Sequence, residues 1–232
     1  MIKENILKIK ERVSLVCSKC NLNSSQISIV AVSKDRTPGQ IKEVVEAGIN
    51  DIGENRVQEA TVKYNELRTG ELANSRTIRW HMVGHLQTNK VREAVGIFDL
   101  IHSVDSLRIA VEIDKQAAKI NKVQDILIQV NTASEPAKFG LKPDEVVEVI
   151  KEIAKLKNIN IKGLMTIAWI VDNPEEARPY FRMSRELKDQ INEQRTTSHE
   201  LRILSMGMTD DFEVAIEEGS NVIRIGRAIF EG

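Results

Sequence analysis

Apolar runs with the character of strands alternate with helical patterns from residue 27 onward. The eight strand-like runs cover residues 27–33, 50–53, 78–83, 98–103, 125–131, 160–165, 201–205 and 222–225. Amphipathic patterns predict helices near residues 38–47, 55–67, 89–95, 105–119, 143–156, 174–194 and 209–218. Such alternation favours a parallel sheet with crossover helices. Only residues 69–76 and 194–199 are typical of longer loops.

The first twenty residues carry a single apolar stripe. Its members recur at alternating steps of four and three, as on one face of a helix: Ile2, Ile6, Ile9, Val13, Val16 and Cys20. Eight strands with seven intervening helices leave one groove of a closed barrel uncovered, and a helix over residues 1–20 fills it. We therefore predict one domain over residues 1–232, an α/β (β/α)8 TIM barrel formed by residues 27–232 with the N-terminal helix packed outside. A doubly wound open sheet is the alternative.

Composition limits the partners that the chain is expected to have. Lysine plus arginine (33) nearly balance aspartate plus glutamate (34), so the net charge of -1 predicts no general attraction to nucleic acid or anionic lipid. Residues 1–5 lack the apolar core of a secretion signal, and no uncharged apolar run approaches the length of a bilayer. We expect a cytoplasmic protein without nucleic-acid or membrane partners.

Two residue pairs have spacings that metal or redox sites also use. Cys17 and Cys20 form a C-x-x-C pair, but they lie in the N-terminal helix and no second pair of ligands accompanies them, so packing is the favoured interpretation. His81 and His85 straddle a strand end and the following loop, and no nearby carboxylate completes a ligand set. We expect no metal site.

The first strand ends in a lysine. Alternation along this strand places Lys34 on the same face as Val30 and Val32. If that face is the barrel interior, Lys34 lies at the carboxyl-terminal mouth, where barrels carry their functional groups. A snorkelling structural lysine is the alternative interpretation.

The last two strands lead into glycine-containing turns. Barrels often bind phosphate with the loops after strands seven and eight, where a short helix directs free N–H groups at the anion. The Ser205 hydroxyl is a hydrogen-bond donor, Gly226 allows close backbone approach, and Arg227 begins a short terminal turn. These residues predict a phosphate site.

Arg224 shares the interior-facing positions of the last strand with Val222. A buried arginine needs an acceptor, and a nearby cation favours the neutral lysine amine that condenses with an aldehyde. Lysine, arginine and phosphate cradle together predict a pocket for a phosphorylated aldehyde. Asn55 and Met165 end or follow strands at the same mouth, where they either line a cofactor or serve in capping and packing.

Seven segments in order along nearly the whole chain resemble one family, the pyridoxal phosphate homeostasis proteins, which are relatives of the N-terminal barrel of alanine racemase. The segments are residues 31–34 (AVSK), 53–59 (GENRVQE), 80–87 (WHMVGHLQ), 101–105 (IHSVD), 163–166 (GLMT), 205–208 (SMGM) and 224–230 (RIGRAIF). The resemblance implies pyridoxal 5'-phosphate (PLP) as cofactor. It also implies a Schiff base on Lys34, Arg224 facing the pyridine nitrogen, and a phosphate held by Ser205 and the backbone N–H groups of Gly226 and Arg227.

The resemblance further implies a role in vitamin B6 and amino-acid homeostasis, as a carrier or regulator and not an enzyme, with apo forms of PLP-dependent enzymes as candidate partners. A monomer is expected, with a dimer as the alternative. Arginine cannot accept the proton of a pyridine nitrogen, so the ring remains a weak electron sink. Racemases of this fold add a second domain with an acid/base tyrosine. We expect no counterpart after Gly232, and Tyr64 and Tyr180 lie in predicted helices.

Two departures limit what the resemblance implies. Many relatives have a small hydroxyl residue where this chain has Arg227, so only a backbone contact is expected there. Relatives also tend to have proline near Trp169, so the resemblance does not define the shape of the loop after strand six. A PLP-dependent racemase and a phosphosugar-binding barrel with a Schiff-base lysine remain alternatives.

Overall fold

Eight parallel strands form a closed barrel in sequence order, with β8 paired to β1. The structure is a computed structural model that describes residues 1–69, 78–133, 135, 138–169, 171–197 and 199–232. The strands are β1 (Ser28–Val32), β2 (Asp51–Glu54), β3 (Arg79–Met82), β4 (Leu100–Val104), β5 (Gln124–Val130), β6 (Ile159–Thr166), β7 (Ile203–Ser205) and β8 (Val222–Ile225). The predicted single-domain TIM barrel is confirmed, and the open-sheet alternative is wrong.

Helices cover the outside of the barrel between successive strands. They are α1 (Ile2–Lys19), α2 (Pro38–Glu46), α3 (Val57–Thr69), α4 (Val91–Ile97), α5 (Leu107–Lys119), α6 (Val146–Ile153), α7 (Arg178–Glu193), α8 (Phe212–Glu217) and α9 (Arg227–Phe230). Local signals explain their starts: Thr37 and Gln40 form a capping box at α2, and the Ser106 side chain caps α5. Short 3₁₀ turns span Ser24–Gln26, Thr88–Lys90 and Pro174–Ala177. None of the helices in the described ranges is both long and apolar enough to cross a bilayer.

Three of the predicted helices are clearly shorter in the structure. The helix expected over 174–194 begins at Arg178, after the 3₁₀ turn Pro174–Ala177. The helix expected over 143–156 begins at Val146, because the preceding residues form a turn in which the Glu145 amide donates to Lys142 O. The helix expected over 209–218 begins at Phe212, after a turn closed by the Met208 amide on the Asp211 carboxylate. Most of the longer loop predicted over 69–76 lies outside the described residues.

The N-terminal helix α1 fills the groove between α8 and α2, as predicted, and also contacts α9. Ile6 and Ile9 on its inner face are fully buried, and the Asn5 amide donates to Ile229 O (3.1 Å) in α9. Cys17 is buried and Cys20 packs against the same core, so both act as packing residues. Burial also raises the pKa of the Cys17 thiol, which leaves it a poor nucleophile.

Alternate residues of each strand face two different environments. One set packs against the helices in the main core, while the other points into the barrel. Apolar residues of the interior set form two small clusters, one with Val30, Val83 and Val222 and the other centred on Leu100, Leu127 and Met165. Polar interior residues occupy other positions on the same faces, and they form the site described below.

We predict that Ile9→Ala lowers the free energy of unfolding by about 2–5 kcal/mol, because it removes buried methyl groups between α1 and the barrel. The matched control is Leu15→Ala on the outer face of α1, where the side chain is 57% exposed. The control should change stability by less than about 0.5 kcal/mol. Urea unfolding of both variants measures the difference, and equal effects would mean that α1 does not dock on the barrel.

Candidate functional site

The carboxyl-terminal ends of β1 and β8 lie side by side. Val30 is level with Arg224 and Ala31 with Ile225 in the β1–β8 pair, so the turn carrying Lys34 and the turn carrying Gly226 leave the barrel together. An ion pair from Arg36 to Glu231 joins the two turns further out, and the Arg36 guanidinium also lies 5.4 Å from the centre of the Phe230 ring. Closure of the barrel therefore brings the first and last functional segments of the chain to one mouth.

Lys34 is exposed at this mouth, directly after Ser33. Within the described residues, no hydrogen bond or ion pair engages its amine. At the neighbouring turn, the amides of Ile229 and Phe230 both donate to Gly226 O, and these are the first helical hydrogen bonds of α9. Helix geometry leaves the earlier N–H groups of such a turn without helical partners. An amine and backbone amides without helical partners thus lie at one rim of the barrel.

Arg224 lies inside the barrel with only 5% of its surface exposed. Its guanidinium donates to Ser205 Oγ (2.6 Å) and to Thr166 O (2.9 Å). Burial lowers the pKa of Arg224 to about 10, although the charge of Asp211 opposes that shift. No carboxylate forms an ion pair with Arg224 in the described part of the chain. The result is a buried cation whose contacts are neutral acceptors.

A line of hydrogen bonds crosses the barrel from Arg224. Ser205 Oγ lies 2.9 Å from His102 Nδ1, and His102 Nε2 lies 2.9 Å from His81 Nδ1. His81 Nε2 is 2.8 Å from Asp51 Oδ1, and the other oxygen of Asp51 accepts from Arg79 (2.6 Å). We call the residues Asp51, His81, His102, Ser205 and Arg224 the barrel relay.

With both imidazoles neutral, one assignment of protons satisfies every contact in the barrel relay. Arginine only donates and an ionised carboxylate only accepts, so each group from Arg224 to His81 donates toward Asp51. Burial is the main cause that holds the pKa of His102 well below its usual value, and electrostatic interactions with Arg224 and His81 lower it further. Burial alone would raise the pKa of Asp51, but hydrogen bonds and charges from His81 and Arg79 lower it. The neutral ring and the carboxylate are the forms that the assignment needs.

The turn after β7 fixes the backbone of Arg224. Gly207 has φ +91°, and a Cβ there would lie 2.6 Å from Ala215 Cβ, so the turn requires glycine. Gly207 O accepts the Arg224 amide (3.0 Å), which ties the turn to β8. The SMGM segment therefore supplies both a side chain and a main-chain support for the arginine.

The structure places the other predicted site residues as follows. Ser205 is fully buried, and its hydroxyl bonds within the barrel relay; a phosphate contact by this residue stays a prediction. Met165 packs among Leu127 and Leu100 in the barrel interior, and Asn55 is half-buried just past β2. The exposed Arg227 side chain pairs with Asp210, and a backbone contact of Arg227 with phosphate stays a prediction.

Trp169, in the loop after β6, is 45% exposed. The Lys138 ammonium lies 5.1 Å from the centre of its ring, donates to Ala168 O (3.3 Å) and pairs with Glu135 (2.8 Å). His85 stacks on Phe139 with ring centres 3.6 Å apart. Among the described residues, no group of three or more His, Cys, Asp and Glu side chains is arranged to hold a metal ion.

Comparison with known proteins places this geometry in a family. Residues 4–232 match the family of the alanine racemase N-terminal domain. A pyridoxal phosphate homeostasis protein of Aquifex aeolicus is 42% identical over 227 residues, 98% of this chain and 96% of that protein. The chain belongs to the pyridoxal phosphate homeostasis proteins.

Solved structures of similar proteins agree in fold over the full length. PipY of Synechococcus elongatus, solved with PLP bound, has 31% identity and a TM-score of 0.85, with 99% of this chain and 100% of that chain covered. A protein of Bifidobacterium adolescentis has 32% identity and a TM-score of 0.93, with 99% of this chain and 94% of that chain covered.

Sequence reasoning missed most of the barrel relay. It considered His81 only as a metal ligand, noted His102 only within a motif, and left Asp51 unassigned. The available signal was alternation, because each of these residues occupies an interior-facing position of a short buried strand. Polar residues at such positions require partners, and other strands of the barrel supply them.

We predict that Ser205→Ala lowers the free energy of unfolding by about 1–3 kcal/mol, because an Arg224 donor and a His102 acceptor lose their partner while buried. Ser184→Ala is the control: Ser184 is equally buried in α7, and its hydroxyl makes no hydrogen bond within the described residues. Urea unfolding should show little loss for the control. Equal stability of the two variants would contradict the contribution of the barrel relay.

We also predict that His102 makes the free energy of unfolding depend on pH. The folded ring stays neutral while an unfolded histidine takes up a proton near pH 6.5, so stability falls as the pH drops below that value. One proton corresponds to about 1.4 kcal/mol per pH unit, and the contribution vanishes above the unfolded pKa. Urea unfolding between pH 7.5 and 5.5 should show a steeper decline for the wild type than for His102→Gln. Parallel curves would show that the ring charges in the folded state.

Proposed function

We propose that this chain binds PLP at the carboxyl-terminal mouth of the barrel and carries it as a Schiff base on Lys34. We further propose that it acts in PLP and amino-acid homeostasis as a carrier of the cofactor. The observation on which this depends is the pairing of β1 with β8, which sets the Lys34 turn, Arg224 and the Gly226 turn side by side. The PLP bound to PipY, a relative of matching length, supports the choice of cofactor.

Lys34 supplies the nucleophile in this proposal. When bound, PLP offers an aldehyde that condenses with a primary amine and releases one water. The amine of Lys34 is exposed and has no hydrogen-bond or ion-pair partner among the described residues, so it is available to react. Its neighbour Ser33 is fully buried, which anchors the turn on the barrel.

Arg224 fits the ring nitrogen of the cofactor. The guanidinium is buried among neutral acceptors and has no ion pair in the described chain, so it can donate to an additional acceptor. An unprotonated pyridine nitrogen is such an acceptor. Before the cofactor binds, Asp51 accepts from His81 at the other end of the barrel relay, and the relay directs a Ser205 lone pair at Arg224.

Backbone N–H groups are proposed to hold the phosphate. Those of Gly226 and Arg227 stand at the start of α9, where the first turn bonds only from Ile229 onward. Ser205 is proposed as a third donor, and Asn55 and Met165 as residues that line the ring. In this arrangement Ser205 exchanges its bond to His102 for one to the anion, so loading with PLP and the barrel relay are coupled.

A carrier role is favoured over a racemase. Arg224 holds its proton and makes the ring a weaker electron sink than a carboxylate-paired pyridinium, but racemases of this fold tolerate the same arginine, so the tyrosines carry the distinction. Tyr64 of α3 packs edge-on against Trp80 of β3, with ring centres 5.8 Å apart, and Tyr180 lies in α7. Neither tyrosine is positioned as an acid at the mouth. We propose the cytoplasm as the compartment and apo PLP-dependent enzymes as recipients of the cofactor.

The experiment that tests the proposal is borohydride reduction of the PLP-loaded protein followed by peptide mass analysis. We expect one pyridoxyl group, on Lys34, and no labelling of Lys34→Ala. Lys138→Ala is a matched control at the same rim, since its amine is already engaged by Glu135 and Ala168, and it should label on Lys34 as the wild type does.

The rival functions give different results with the same protein. A racemase would exchange the α-proton of single-enantiomer amino acids in deuterated water at enzymatic rates, whereas a carrier should show little exchange. A phosphosugar-binding barrel would be colourless as purified, because it would carry no PLP. Labelling on another lysine of the loaded protein would overturn the assignment of Lys34.

A further inference from the structure

A second polar cluster lies outside the barrel wall, directly beneath the Lys34 turn. Its centre is Lys63 of α3, whose side chain is only 5% exposed. The Lys63 ammonium donates to Glu54 Oε1 (2.7 Å), Glu59 Oε1 (2.6 Å) and Ser33 O (2.5 Å). An ammonium has three donors, so all of them are used. None of these four residues takes part in the barrel relay, and the site described above does not account for them.

The cluster holds both peptide groups that flank Lys34. The carbonyl of Ser33, in the peptide before Lys34, accepts from Lys63, and the amide of Asp35, in the peptide after it, donates to Glu59 Oε1 (2.6 Å). The Ser33 hydroxyl also donates to Glu54 Oε1 (2.5 Å). Lys63 and Glu59 also form an ion pair with each other, so the same pair of side chains fixes the backbone on both sides of Lys34.

This arrangement is unfavourable as a device for stability alone. Glu54 is fully buried, and its second oxygen Oε2 has no hydrogen-bond partner in the described structure. Asp35 is held in the left-handed region with φ +59°, which L-residues disfavour. The free-energy cost of desolvating a buried ion pair often exceeds the energy gained from its attraction. Apolar side chains of similar size stabilise the folded state as well or better. What an apolar replacement does not provide is a pair of directional bonds to two defined peptide groups.

We propose that Lys63, together with Glu59 and Glu54, is a positioning residue for Lys34: the cluster orients the Lys34 turn so that its amine is presented to the aldehyde of the bound cofactor. The inference rests on the proposed function and adds to it the group that orients the nucleophile. The amine adds to the aldehyde carbon and one water leaves as the C=N bond forms, with no change in oxidation state. Lys63 contacts neither reacting atom and acts through the backbone.

Presentation of the amine should affect the covalent step and not the recognition of ring and phosphate. An oriented amine has a high effective concentration at the aldehyde, and freedom of the turn lowers it. Pyridoxine 5'-phosphate carries an alcohol in place of the aldehyde, so it reports recognition alone. The ratio of its dissociation constant to that of PLP therefore measures the covalent contribution.

The test compares this ratio in the full-length wild type, Lys63→Met and Glu59→Ala, with the Schiff-base absorbance recorded in parallel. We expect both variants to bind PLP about tenfold more weakly, equivalent to about 1.4 kcal/mol. Binding of pyridoxine 5'-phosphate should remain within about twofold, because its contacts are unchanged. Glu59→Gln retains an oxygen for the Asp35 amide and for Lys63, so it should restore most of the ratio.

Lys122→Met is the matched control for loss of a lysine that bonds backbone carbonyls. Lys122 donates to Val95 O (2.8 Å) and Phe98 O (2.7 Å) near the amino-terminal ends of β4 and β5, at the opposite end of the barrel from Lys34. The control should lose stability in urea and keep the wild-type ratio. If Lys63→Met does not fold, the Glu59→Ala and Glu59→Gln pair decides, since Glu59 is partly exposed.

The outcomes separate the inference from the function on which it rests. A wild type that forms no Schiff base with PLP overturns the proposed function and the inference together. A wild type that forms the bond, with unchanged ratios in Lys63→Met and Glu59→Ala, overturns the inference alone. Equal weakening of both ligands would likewise overturn it, because general damage and not presentation of the amine would then be the cause.

Discussion

Pairing of the last strand with the first is the constraint on which the rest of the structure depends. The register that sets Val30 level with Arg224 closes the barrel and determines which groups meet at its mouth. Closure also leaves one groove without a helix of its own, and α1 covers it. A slip by one residue would exchange the faces of β8 and move Arg224 from the interior to the helix side.

Part of the barrel interior is polar, whereas most barrels of this kind are filled with branched apolar side chains. The barrel relay satisfies these polar groups in one direction, from a buried cation on β8 to a carboxylate on β2. Its effect is to orient Arg224, which has no competing ion pair in the described chain. An acceptor atom of a flat heterocycle fits such a donor, and this fit is the basis of the proposal that Arg224 faces the ring nitrogen of the cofactor.

Two polar systems thus act on opposite sides of the barrel wall. The barrel relay orients an arginine from the inside, and the cluster of Lys63, Glu54 and Glu59 orients the lysine turn from the outside. In both systems, buried polar groups fix the direction of a functional side chain or turn, whereas apolar side chains of similar size would stabilise the fold as well. Exposed side chains such as Lys34 can remain free of contacts because their backbones are fixed from beneath.

The sequence by itself determined the order of strands and helices, the stripe of α1, and the strand face of Arg224. These are local properties, since periodicity depends only on backbone geometry within one element. The partners of those residues were decided by the tertiary structure. His102 meets Ser205 only because strand registers accumulate around a closed barrel, and Lys63 reaches Ser33 only because α3 docks with that side turned inward. A pattern along the chain specifies which face a side chain occupies, whereas its neighbour across the fold depends on closure and packing that no single segment contains.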